Sequence, residues 1–175
     1  MIVYRKMLDL FIAPSVILRT HVKVWACRIT QTNIRRLQYF CIDEPRSILE
    51  HDVPNSLFKT LLIVLSPVVA TQIVGLTLMI LMAIVQLKYS NLEFIYGILM
   101  YLSVTILAQT YSTWKEVKLL NNALSRTSGI SFLKIFGYLS GFVMLISSVG
   151  SYVLINVLYA FMMMNAMPEI VSSWL

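Results

Sequence analysis

Three stretches of the 175-residue chain contain no Asp, Glu, Lys or Arg: Thr60 to Leu87, Phe94 to Trp114 and Ile135 to Pro168, of 28, 21 and 34 residues. About 20 apolar residues in a helix cover the hydrocarbon core of a bilayer, so each run is long enough to cross one. The expected fold class is therefore an all-α integral membrane protein with three transmembrane helices. An apolar run from Met7 to Leu18 adds an N-terminal interfacial or partly inserted helix, because twelve residues extend only about 18 Å. With 58% hydrophobic and 13% charged residues, the chain leaves no room for a sizeable soluble domain. Residues 1–175 are read as a single membrane domain. It divides into an N-terminal helix with a basic segment (1–59), a first span (60–87), a second (94–114), a basic loop (115–134) and a third span (135–168).

Charge placement orients these spans. Residues 19–59 hold Arg19, Lys23, Arg28, Arg35, Arg36, Arg46 and Lys59, and residues 115–134 hold Lys115, Lys118, Arg126 and Lys134. Two spans separate the segments, so both fall on one side, which the positive-inside rule makes cytoplasmic in a multi-pass protein of the cell membrane. The net charge of +6 is thereby explained without nucleic acid; no basic stripe interleaved with stacking aromatics signals a nucleic-acid module. Arg35 and Arg36 are the candidates for contact with anionic lipid or an acidic partner surface. Around them, Ile34, Leu37, Tyr39 and Phe40 suggest an amphipathic element or a strand pair.

The third run is too long for one simple crossing, since 34 residues extend about 51 Å as a helix. A bend is expected at Gly150 and an end at Asn165 to Pro168. Gly137 and Gly141 form a GxxxG, and Ser140, Ser147 and Ser151 continue a small-residue stripe suited to close helix packing, within this chain or onto another subunit.

Chemistry at membrane depth normally requires ionisable groups, and the three runs have none. Gln72, Gln86, Gln109 and Asn156 suit interhelical hydrogen bonds. Cys27 and Cys41 form no CxxC and read as reduced thiols. His21 has only Ile17 and Trp25 four residues away, neither of which can coordinate, and His51 reads as solvated in a charged loop, with Glu50 and Asp52 pointing away from it. The methionines, including Met162 to Met164, read as adaptable apolar packing rather than a copper site.

The order of local patterns from Pro14-Ser15-Val16-Ile17-Leu18 through Arg19-Thr20-His21-Val22-Lys23 to Val24-Trp25-Ala26-Cys27-Arg28 resembles the first helix of small prokaryotic, archaeal-type membrane metalloproteases related to site-2 proteases. His51-Asp52-Val53-Pro54, Phe58 to Ile63 and Ser66-Pro67 extend the resemblance, which covers about residues 8 to 120 and is one of pattern order more than of identity. In that family the central pentad is HExxH, where two imidazoles four residues apart bind zinc and the Glu is the general base. Here the three positions are Arg19, Thr20 and Lys23. Gln109 stands where relatives place a further His. The resemblance thus implies a scaffold that has lost its catalytic motif, with no cofactor, acting as an accessory or scaffolding subunit among other integral membrane subunits and lipids. The alternative is a cryptic membrane metallohydrolase or a small transporter component using His21, His51 and nearby acids.

Overall fold

In a computed structural model, the chain is mostly helical, with one small hairpin. In chain order the elements are α1 (Ile2–Ile29), β1 (Ile34–Gln38), β2 (Ile48–His51), α2 (Leu57–Lys88), α3 (Glu93–Ala108), α4 (Trp114–Arg126), α5 (Phe132–Tyr152) and α6 (Ile155–Ser172). The structure describes residues 2–39, 48–89, 91–108, 113–128, 131–152 and 155–174. Side chains are described from residue 13 onward, except at 147 and 149–156 within this set.

Helix α2 is the spine. Ser56 caps it, its hydroxyl accepting the Lys59 N–H at 3.3 Å, and no charged side chain interrupts it from Thr60 until Lys88. Among the described residues it is the helix long and apolar enough to cross a membrane. Shorter apolar helices run over Glu93–Ala108, Phe132–Ile146 and Val157–Ser172. The all-α class therefore holds, while the expected count of three spans goes beyond these helix lengths.

Two cores share α2. Near its start, Leu57, Leu61 and Val64 pack with Val117, Leu120 and Leu124 of α4 and Met144 of α5. Toward its end, Met79 and Ala83 pack with Leu107 of α3 and Ala160, Met167 and Val171 of α6. The Tyr159 hydroxyl of α6 donates to Gln72 Oε1 of α2 at 3.3 Å, tying the two helices midway. Gly75 lets α3 approach, since a Cβ there would stand 2.6 Å from Leu107 Cγ.

Several sequence expectations change in detail. Residues 7–18 belong to a longer helix, α1, of 28 residues that continues through Arg19 and Lys23 to Ile29. The basic loop expected at 115–134 carries α4, because Thr113 and Glu116 cap its start and Val117, Leu120 and Leu124 recur at helical spacing. The long run 135–168 is two helices: α5 continues past Gly150 to Tyr152, and α6 starts at Ile155. The end expected at Asn165 to Pro168 gives way to helix through Ser172, with Pro168 inside it. Of these two helices, α5 accompanies the first half of α2 and α6 its second.

Between α1 and α2 the strands pair antiparallel, Arg36 opposite Glu50 and Leu37 opposite Leu49, with an irregularity between Ile34 and Arg36. This is the strand-pair form expected around Ile34 and Leu37. Ile34 and Leu49 pack on Ala26 and Cys27 of α1 and Ile63 of α2, anchoring the hairpin where α1 ends.

Candidate functional site

Arg19 and Lys23 lie four residues apart on α1, hence on one face of the helix. That face meets the first turn of α4. Arg19 Nη2 donates to Glu116 Oε2 at 2.6 Å, and the Lys23 ammonium pairs with Glu116 Oε1. The Thr113 backbone N–H donates to Oε2 at 2.7 Å, so one carboxylate closes the α4 N-terminus and holds two cations of α1. The site is sequestered: the side chains are 5% exposed at Glu116, 13% at Arg19 and 19% at Lys23.

Burial pushes the Glu116 carboxyl upward, but the adjacent Arg19 and Lys23 charges, the Lys23 hydrogen bond and the Thr113 N–H outweigh it and hold the group below its ordinary range. Glu116 is consequently ionised and a poor proton acceptor at neutral pH. Both carboxylate oxygens are engaged by cations of α1, Oε2 by Arg19 and Oε1 by Lys23. Thr20 is buried beside them, yet its hydroxyl donates to the Val16 carbonyl of its own helix at 2.8 Å rather than joining the cluster.

Of the residues singled out from sequence, Arg19 and Lys23 thus come together, through a partner that the sequence presents only as the lone acid of a basic segment. The available signal was Thr113-Trp114-Lys115-Glu116, a capping-box pattern. Gln109 and Cys41 lie outside the described residues, as do the side chains of Ser147, Ser151 and Asn156.

The histidines stand apart from the cluster. The His21 ring is exposed, with Nδ1 3.5 Å from the Tyr39 hydroxyl. His51 Nδ1–H donates to the Asp52 carbonyl at 2.8 Å, which engages that nitrogen in the hairpin. Among the described residues, no three His, Cys, Asp or Glu side chains are grouped to hold a metal ion. Cys27 is a free, buried thiol whose pKa is raised by burial against the opposing pull of Lys23.

Arg35 and Arg36 sit on β1. Arg35 Nε donates to Asp52 Oδ1 at 2.5 Å, and Arg35 is 72% exposed. Arg36 faces Glu50 across the strands. Each cation considered for lipid or partner contact therefore has an acidic neighbour in its own hairpin. In the small-residue stripe, Gly137 and Gly141 face α4: a Cβ at Gly137 would stand 2.7 Å from Leu124 Cδ2, and one at Gly141 3.6 Å from Leu120 Cδ2. The Ser140 hydroxyl donates to the Gly137 carbonyl at 3.1 Å. Met79 and Met82 are fully buried in α2, while Met162 is exposed and Met163 and Met164 pack beside the second core.

No protein family, curated protein or solved structure matches the chain.

Proposed function

We propose that this chain is a non-catalytic, multi-pass integral membrane protein that serves as an accessory or scaffolding subunit of a larger membrane complex. The observation that carries the reading is the Arg19, Lys23 and Glu116 cluster. At the two positions where the resembled metalloproteases place zinc-binding imidazoles, this chain has cations, and their charges are spent on holding two helices together. The cluster works as a structural clamp, with neither a ligand set nor an available base.

The membrane part of the reading is supported by α2 and by the apolar surface the remaining helices present outward. Val69, Ile73, Phe94, Leu139, Phe142 and Phe161 are all exposed. Such a surface is costly in water and ordinary in lipid. In this reading the spans are those over 60–87, 94–114 and 135–168. The contacts of Arg19 and Lys23 with Glu116 support a common, cytoplasmic side for segments 19–59 and 115–134, because both must reach the same place.

Extraction from the native membrane in mild detergent, followed by native mass and metal analysis of the same sample, tests the proposal. Co-migration with other membrane subunits and no bound metal is the expected result. A lone chain carrying one zinc ion would overturn it in favour of a metallohydrolase. The resemblance has its own test: in Arg19→His, Thr20→Glu, Lys23→His, Gln109→His the HExxH pentad and the further His are restored, and binding of one zinc per chain is expected. No zinc uptake by the folded variant would sink the resemblance.

A further inference from the structure

Between α2 and α5 an outward-facing cleft of about 320 Å³ is lined by Phe58, Leu62, Leu65 and Val69 of α2 and Leu133 and Phe136 of α5, with Ser66 as its polar lining side chain. We propose that this cleft is a binding site for one acyl chain of an anionic phospholipid whose headgroup is held by Lys59 and Lys134. The inference rests on the membrane reading above.

Length, polarity and charge agree on this occupant. From Phe58 to Val69 the cleft follows α2 over twelve residues, about 16 Å along the helix axis. One leaflet contributes about 15 Å to the hydrocarbon core, so the cleft runs from the interface to the midplane. Two half-buried cations stand beside its outer end without lining it: Lys59, next in sequence to Phe58, and Lys134, next to Leu133. Lys134 Nζ donates to the Thr127 carbonyl at 2.9 Å, which fixes the ammonium between the end of α4 and the start of α5. Exposed Lys115, Lys118 and Arg126 on α4 keep that side positive, and the acid among them, Glu116, is already paired. A zwitterionic headgroup would gain much less from this end of the cleft than an anionic one.

The test uses the intact purified chain in detergent micelles, titrated with phosphatidylglycerol or phosphatidylcholine of identical acyl chains and read by native mass spectrometry. One phosphatidylglycerol retained per chain, with a preference of about tenfold over phosphatidylcholine, is expected. Lys59→Glu, alone and with Lys134→Glu, should abolish the preference. Val69→Trp, which fills the cleft at its deep end, should lower retention of both lipids, with helicity checked by circular dichroism in every variant. Equal retention of the two lipids overturns the proposal, as does a preference that the folded lysine variants leave unchanged or a retention that folded Val69→Trp leaves unchanged. Failure of the accessory-subunit reading is distinguishable, because a lone or zinc-bearing chain is seen in the native extract irrespective of lipid preference. Failure of the membrane reading shows earlier still, as release of the chain by alkaline carbonate.

Discussion

Glu116 ties two cations of α1 to the start of α4. Removing one partner of a buried ion pair leaves the other charge uncompensated, at a cost of about 3 kcal/mol or more. Glu116→Gln is therefore expected to lower the stability of the folded chain by about 3 kcal/mol in chaotrope unfolding from mild detergent. Adding Arg19→Met and Lys23→Met removes the two charges left facing the uncharged Gln and should recover part of that loss. A further drop in the triple variant would mean that the cluster is net stabilising beyond mutual compensation. The pH dependence follows from the same carboxylate. Its folded-state pKa lies below the unfolded value of about 4.3, so its contribution is fully present above that pH and fades as pH falls through the folded value. Unfolding midpoints should be level from neutral pH to about 5 and decline below about 4.3, with a shallower decline in Glu116→Gln. An identical acid slope in the variant would place the titrating group elsewhere.

At the scale of the elements, glycines report which helices touch. Gly75 faces Leu107, which is fully buried, and a Cβ would collide with it. Gly75→Ala is expected to cost about 1–3 kcal/mol through displacement of α3. Gly97, also helical but with open space for 4 Å around the point where a Cβ would stand, is the control. Gly97→Ala should be neutral or stabilise by up to about 1 kcal/mol through helix propensity. Equal effects at both positions, measured by the same unfolding assay, would refute the α2 and α3 packing. The end of α1 is a second such case. Gln31 has φ 54°, and the Thr32 N–H donates to the Cys27 carbonyl at 2.8 Å and the Gln31 N–H to the Arg28 carbonyl at 3.1 Å, a Schellman closure with glutamine where glycine is usual. Gln31→Gly removes the left-handed penalty and is expected to raise stability by about 0.5–1 kcal/mol, net of the added chain entropy.

For the molecule as a whole, α2 joins two cores that have no buried residue in common, one built with α4 and α5 and one with α3 and α6. The outward faces of these helices are apolar, so retention of the full-length chain in the membrane pellet after alkaline carbonate is the expected behaviour. Recovery in the supernatant would sink the multi-pass reading. Charge reversal at Arg35 and Arg36 addresses the hairpin: loss of assembly with lipid or partner is expected if these cations act outward. Unchanged assembly would leave them to Asp52 and Glu50 alone.

Uninterrupted apolar composition made the helical class legible without any structure, because a bilayer-length run without charge satisfies its backbone best as helix. The basic character of residues 19–59 and 115–134 was equally plain, while around Ile34 the sequence left an amphipathic element and a strand pair both open, and the structure has the pair. Unread in the sequence were the helix at 114–126, although its capping box and apolar spacing are local, and, above all, the role of Glu116, which depends on groups distant along the chain. Arg19 and Glu116 are 97 residues apart, and no local pattern states that a cation on one helix will be neutralised by a carboxylate on another. Local composition decides which segments become helices; only their packing around α2 decides which charges meet, because burial makes an unpaired ion too costly to leave alone.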